Sequence, residues 1–356
     1  MKRAMLLGLM LLGLLLGCRD RQAQTVQTAP PPTAEPTAAV AVSRTPVQLT
    51  MAPTADPTAT PTPTPTAEPT ATPTPSPVPT PSPTPAPTPF SLVWVPDTQL
   101  FAYSYPDKFI TLADWINGHR ESENILGIIH PGDLVDNGFK QWQWDNFYPF
   151  LERLDPSLFF FCVAGNHDIG TKSQNFSAYL KQSFLKAYPD EQKYQGGKML
   201  YQILPAGDTD ILLLGVGWEL WKDKAALKWI DQVLADHADM PCILVVHGFL
   251  LYETRYYTAV EQMIAQRPAI KLAICGHMDG YYTRVFDYDD DQDGTAERHV
   301  TAMMLNMQRA QDYAFRLLIF DPVARSIEVR TLKLDGTPAS DIDGRGPISF
   351  VIENAY

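Results

Sequence analysis

Five short stretches carry side chains able to grip divalent cations: Asp97-Thr98-Gln99, Gly132-Asp133-Leu134-Val135-Asp136, Gly165-Asn166-His167-Asp168, His247-Gly248 and Gly276-His277-Met278-Asp279. Carboxylates, amide oxygens and imidazoles are the common protein ligands of such ions. Each piece alone is weak, because Gly-Asp-x-x-Asp or Asn-His arises by chance and a lone histidine is more often structural than ligating. What matters is whether the fold brings the five together.

Each stretch stands directly behind an apolar run of the strand type: Ser91 to Val95, Ile125 to Ile129, Leu158 to Ala164, Cys242 to Val246 and Lys271 to Cys275. In α/β sheets ligand sites form beyond the carboxyl ends of the strands, so five converging strand ends would gather these residues in one cleft. Amphipathic stretches between the runs supply a covering layer. From Ala225 to Ala235, Leu227, Ile230 and Leu234 recur at helical spacing while Lys228, Asp231 and Gln232 face away. Trp142 to Tyr148 reads as a helix packing its rings into the core, with a substrate wall as the alternative. Cys162, Cys242 and Cys275 each fall inside an apolar run and read as buried free thiols, with nothing cationic adjacent to lower a thiol pKa. Asp289, Asp291, Asp293 and Gly294 match the opening of an EF-hand calcium loop, but its twelfth position is Val300 rather than glutamate, so a solvated hairpin tip is expected. Gly170 to Met199 and Phe249 to Ile264 follow motif residues directly and are expected to form the rim that selects substrate.

The chain has 356 residues and a net charge of -12. Twenty of its 32 prolines lie between Pro30 and Pro89, so only residues 90–356 can bury a core. That body holds 23 Lys and Arg against 36 Asp and Glu. Phosphate contacts need clustered Lys and Arg, so nucleic acid is not expected as a partner except as a substrate. No stretch approaches the ~20 apolar residues of a spanning helix, which excludes a polytopic membrane protein.

Lys2 and Arg3 precede an apolar stretch from Ala4 to Gly17, and Cys18 is followed at once by Arg19, Asp20 and Arg21. That is the plan of a secretory signal. Ending on Leu15-Leu16-Gly17-Cys18, it resembles a bacterial lipoprotein signal, which implies cleavage before Cys18, lipid on that cysteine, and export to the outer face of a bacterial membrane. Alternate prolines in residues 18–89 fix φ and favour polyproline II, a semi-rigid spacer of ~3.1 Å per residue. The expected division is a signal at 1–17, a lipidated Pro/Thr-rich linker at 18–89 and one domain at 90–356. The membrane would be reached through the lipid anchor alone, and the protein is expected to be a monomer.

The order of the five stretches says more than any one of them. Asp-x-Gln, Gly-Asp-x-x-Asp, Gly-Asn-His-Asp, a strand ending in His-Gly and then Gly-His-x-Asp together resemble the calcineurin-like metallophosphoesterase superfamily, over roughly Leu92 to Gln308. Gln99 and Asp279 stand where that superfamily usually has histidines, and Pro-Asp-Thr-Gln looks like a bacterial exported branch. The resemblance implies an α/β (α+β) four-layer sandwich, with two packed mixed β-sheets flanked by helices, and two divalent metal ions. Asp133 would bridge them; Asn166, His247 and His277 would complete one shell, and Asp97, Gln99 and Asp279 the other. Oxygen ligands suit Mn, Mg or Ca and imidazole suits Zn, Fe or Ni, so manganese is expected, with iron, zinc, magnesium and calcium as alternatives. Two such ions ~3.5–4 Å apart activate a shared water and clamp the attacking and leaving oxygens of an in-line displacement at phosphorus. A phosphate ester is then the substrate. His167 would face it without binding metal, oriented by Asp136.

Asn137 follows Asp136 where the superfamily's protein phosphatases carry arginine. Three carboxylates, Asp97, Asp133 and Asp279, with a hydroxide would cancel the charge of two divalent ions, which favours a phosphodiester monoanion unless Lys172, Arg255 or Arg284 restores positive charge. A phosphomonoesterase and a noncatalytic, metal-stabilised surface binding module are the alternatives.

Overall fold

The computed structural model describes residues 87–169, 188–252, 254–308, 313–340 and 348–356. Cys18, nearly all of the linker, Lys172 and most of the Gly170 to Met199 rim therefore lie outside the described residues. In chain order the strands are β1 (Phe90–Trp94), β2 (Ile125–His130), β3 (Phe159–Cys162), β4 (Lys193–Tyr194), β5 (Met199–Leu204), β6 (Ile211–Val216), β7 (Cys242–Val246), β8 (Leu250–Tyr252), β9 (Arg255–Tyr256), β10 (Ile270–Cys275), β11 (Gly280–Tyr288), β12 (Arg298–Asn306), β13 (Ala314–Asp321), β14 (Ser326–Lys333) and β15 (Phe350–Ile352). The α-helices are α1 (Gln99–Ser104), α2 (Asp107–His119), α3 (Gln141–Arg153), α4 (Asn166–Ile169), α5 (Lys224–Asp236) and α6 (Thr258–Ala265).

All five residues of β1 are buried, and they serve two cores. Phe90, Leu92 and Trp94 pack between the sheets, while Val93 and Val95 pack beneath helices. Burial on both faces is what an unbroken apolar run encodes, and each large side chain so buried stabilises the fold by ~1.5–3 kcal/mol. One sheet has the order β15-β14-β13-β1-β2-β3, with β1, β2 and β3 parallel. The other has the order β11-β12-β10-β7-β6-β5-β4, with β6, β7, β10 and β12 parallel.

Ile129, Phe161 and Leu318 of the first sheet meet Leu213, Val245 and Ile274 of the second. Phe101, Phe109 and Phe147 from α1, α2 and α3 cover the first sheet, and Ile230 and Val260 from α5 and α6 cover the second. The result is four layers, helix on sheet on sheet on helix. Asp223 caps α5 by accepting from the N–H groups of Ala225 and Ala226 at 2.8 and 2.9 Å, a cap that contributes ~1 kcal/mol.

The rings of α3 divide between inside and outside. Trp144, Phe147 and Phe150 are fully buried, whereas Trp142 is 44% exposed and lies 5.8 Å from the ring of Tyr103. Cys162, Cys242 and Cys275 are buried free thiols. Among the described residues no helix is long and apolar enough to cross a membrane.

Candidate metal centre

Parallel strands deliver the motif residues to one edge of the sandwich. Asp97 follows β1, Asp133 follows β2, Asn166 follows β3, and His247 and His277 follow β7 and β10. After β2 the chain reverses on two consecutive residues of positive φ, Gly132 at +113° and Asp133 at +55°. A Cβ at Gly132 would come within 2.7 Å of the Gly165 nitrogen, and one at Gly165 would overlap the backbone nitrogen and carboxylate of Asp133. Glycine at these two positions lets the loops after β2 and β3 nest. Asp168 binds the same loops together, accepting from Val135 N–H at 3.1 Å and Gly165 N–H at 2.8 Å.

His130, fully buried at the end of β2, closes the network below. Thr98 donates its hydroxyl to the Leu134 carbonyl and accepts from His130 Nε2, while Gly132 N–H donates to His130 Nδ1. Burial, aided by the charge on His247, pushes His130 down to about 3, so it stays neutral.

The ligand atoms of Asp133, His247 and His277 lie within 4.8 Å of one another. His247 Nδ1 donates to the Pro131 carbonyl at 3.1 Å, which turns Nε2 toward Asn166 Oδ1 at 3.0 Å and Asp133 Oδ2 at 3.2 Å. A nitrogen can face two acceptor oxygens only through a proton or a cation between them. Accordingly, although burial opposes it, the charge and hydrogen bond of Asp133 push His247 up to about 9. Burial also opposes ionisation of Asp133, yet His247 holds it below the usual carboxylate range.

His277 occupies a tight turn at φ +75°, closed by Met278 N–H donating to the Gly276 carbonyl at 3.0 Å. Its Nε2 lies 3.3 Å from the Tyr257 hydroxyl, and its ring centroid lies 4.7 Å from that of Trp218. Burial, with the charge of His247 adding, pushes it down to about 4.

Asp97 is fully buried and accepts from His277 N–H at 3.1 and 3.3 Å and from Asn306 Nδ2 at 2.8 Å. Burial pushes it up to about 8, with His247 opposing and Asp133 adding. Gln99 opens α1, and its Oε1 is buried without a hydrogen-bond partner among the described residues, as is Asn306 Oδ1. Buried acceptor oxygens that no donor meets are suited to a divalent cation. The residues present thus fit a metal. Asp279, two residues beyond His277, is exposed.

His167 stands beside this group. Its backbone N–H donates to Asp133 Oδ1 at 2.9 Å, and its Nδ1 donates to the Asp136 carbonyl at 2.7 Å, with the Asp136 carboxylate at 3.4 Å. Asp136 therefore touches His167 as expected, but its main chain makes the shorter contact.

Of the basic rim candidates that are described, Arg255 lies over the ring of Tyr252 at 5.9 Å, and Arg284 lies 4.8 Å from the ring centres of Tyr256 and Phe286. In the turn between β11 and β12, carboxylates of Asp289, Asp291, Asp293 and Glu297 lie within 4.8 Å of one another, all exposed. Asp293 N–H and Gly294 N–H donate back to Asp289 at 3.1 and 2.8 Å, as in an ordinary polar hairpin tip.

Sequence reasoning missed Trp218 and Asn306, while Tyr257 lies within the expected rim Phe249 to Ile264. Trp218 and Asn306 each stand at or just beyond the carboxyl end of a further parallel strand, β6 and β12, and that position was the available signal.

The family model described as calcineurin-like phosphoesterase matches residues 90–280. YvnB of Bacillus subtilis is 30% identical over 255 residues, which cover 68% of this chain and 20% of that protein, so the chain spans about a fifth of that relative. Purple acid phosphatase PPD1 from yellow lupin seeds superposes with a TM-score of 0.50 at 14% identity, covering 75% of this chain and 54% of that one. PhoD superposes with a TM-score of 0.49 at 10% identity, covering 77% and 72%. Identities that low speak to the fold alone. The family match, by contrast, runs over more than half of the sequence and takes in every motif segment found at the strand ends. The chain belongs to the calcineurin-like phosphoesterases.

Proposed function

We propose that the chain hydrolyses phosphodiesters at a manganese-containing dinuclear centre on the outer face of a bacterial membrane. Asp133, Asn166, His247 and His277 would hold one ion, and Asp97 and Gln99 would hold the other with Asp133 shared. Two such ions supply an activated water and neutralise charge developing at phosphorus. The oxygen-rich character of Asp97 and Gln99 supports manganese over zinc at the first position.

His167 carries the catalytic part of the reading. Its Nδ1 is fixed on the Asp136 carbonyl, which leaves Nε2 to stabilise the phosphoryl group or protonate the leaving oxygen. A metal that only shaped a surface would need no such residue.

Beside the charge balance of the carboxylates, the diester preference is supported by Asn137. Its Oδ1 accepts from Phe139 N–H at 3.0 Å and its own N–H donates to Gln143 Oε1 at 2.7 Å, so the residue at the arginine position is occupied in its own turn. A monoanion needs such a positive clamp less than a dianion does. Trp218 and Tyr257 beside His277 add an apolar wall suited to a second ester substituent.

The test loads the chain with Mn and compares bis-p-nitrophenyl phosphate with p-nitrophenyl phosphate, beside His167→Ala. Expected are a higher kcat/KM on the diester and a loss of about 10²–10⁴-fold in the variant with its metal retained. A preference for the monoester would refute the substrate reading. Absence of turnover with Mn, Mg, Zn and Ca, despite bound metal, would refute the catalytic one in favour of a binding module.

Export and anchoring at Cys18 are supported by Lys2-Arg3, the apolar stretch to Gly17 and the cysteine behind it. Mass spectrometry of the N-terminal peptide from membranes should find lipid on Cys18; an unmodified cysteine there would refute the anchor.

A further inference from the structure

Asn306 belongs to none of the motif stretches, yet it touches both halves of the centre. β12 runs parallel to β10, with Met304 beside Cys275, so the carboxyl end of β12 rises beside Gly276 and His277. Asn306 is that last residue and is fully buried. Its Nδ2 donates to Asp97 Oδ2 at 2.8 Å and to the His277 carbonyl at 3.2 Å, and His277 N–H donates to the same Asp97 carboxylate. A carboxylate from the loop after β1 and a histidine from the loop after β10 are thereby joined through one amide nitrogen.

We propose that Asn306 is the positioning residue of the first metal ion. Holding Asp97 by one oxygen, it aims the carboxylate at the cation and fixes it against the backbone of His277, which serves the other ion. The inference rests on the reading of Asp97 as a metal ligand. The residue type follows from the task. An amide nitrogen brings two N–H donors and no charge. Aspartate would set a second carboxylate against Asp97, and alanine would leave Asp97 short of a donor in a buried site. Partners of this kind that orient a metal ligand typically carry 10–100-fold in metal affinity.

The experiment strips the full chain of metal and titrates Mn into the parent, Asn306→Ala and Asn306→Asp, counting bound metal by equilibrium dialysis and elemental analysis. Melting of the metal-free proteins is followed in parallel. Two equivalents are expected in the parent. Both variants should keep one equivalent at parental affinity and bind the other about 10–100-fold more weakly. Millimolar Mn should restore kcat on bis-p-nitrophenyl phosphate with KM for the ester unchanged. Asn306→Asp separates the donor from mere polarity, because it retains an oxygen but lacks the N–H. Two equivalents bound at parental affinity by either variant would overturn the inference, as would equal weakening of both equivalents in a variant that melts like the parent. A parent that binds no metal would overturn the reading of Asp97 first, and this one with it.

Discussion

Returning manganese to the metal-stripped chain at pH 7 should expel about two protons. Asp97 is pushed up to about 8 by burial, and His247 up to about 9 by Asp133 against the opposing effect of burial. At pH 7 both then hold their protons most of the time. His277, pushed down to about 4, and Asp133, held low, have none to release. A ligand must shed its proton to bind metal, so uptake displaces a total near two.

The sign follows directly. Both folded values are raised, so protons compete with metal more strongly as pH falls below about 8, and apparent affinity falls with them. Between pH 7 and pH 6 two protons correspond to a loss of about 100-fold, or about 2.7 kcal/mol at 1.36 kcal/mol per proton and pH unit. The assay is titration calorimetry of Mn in PIPES, HEPES and Tris at pH 7. Observed enthalpy plotted against buffer ionisation enthalpy falls with a slope equal to minus the number of protons released. Asp97→Asn should lower that number to about one. A slope near zero for the parent would refute the electrostatic account of the cluster, since it would mean that Asp97 and His247 already stand deprotonated.

Gly165→Ala should disable the enzyme through crowding, because the added carbon overlaps the nitrogen and carboxylate of Asp133; about 1–3 kcal/mol of stability and about 100-fold in kcat/KM should go, measured by urea unfolding and diester assay. His130, neutral and pushed down to about 3, takes up a proton on unfolding at any pH between there and 6.5, so stability is lost as pH falls through that window. Between pH 6 and pH 5 it should account for about 1 kcal/mol, and His130→Gln should flatten the difference in urea midpoints by that amount. Arg316 is fully buried; its Nε donates to Thr331 Oγ1 at 3.1 Å and it lies 5.0 Å from the Trp94 ring, but its two terminal nitrogens have no partner among the described residues, and burial pushes it down to about 9. Arg316→Met should stabilise the chain by about 1 kcal/mol or more, raising Tm by on the order of 2–4 °C, and a lower Tm would refute the view that its partners fail to offset its burial.

The double-sandwich architecture explains why so much of the scaffold was legible in the sequence. Strands covered on one face by helices and on the other by a second sheet must be apolar throughout, so Ile125–His130, Cys242–Val246 and Ile270–Cys275 stand out as runs, with polar residues at their ends. α5 was visible for the complementary reason, one apolar stripe on an otherwise exposed helix. Asn306 was hidden because its partner Asp97 lies 209 residues away, and a single asparagine after Met303-Met304-Leu305 looks like any strand end. Trp218 read as one more aromatic in a body full of them.

Asp133 and His277 hold backbone angles of +55° and +75°, a region that residues with a Cβ occupy at a cost on the order of 1–3 kcal/mol each. Glycine would relieve that strain at either position, and asparagine would ease it at Asp133. Robustness and usefulness therefore pull in opposite directions at these two residues. In a library of variants screened for heat tolerance alone, the winners should accumulate glycine at positions 133 and 277 and emerge sturdier and inert, whereas a screen for turnover should keep both residues and recover its stability elsewhere, beginning with the guanidinium buried between the sheets.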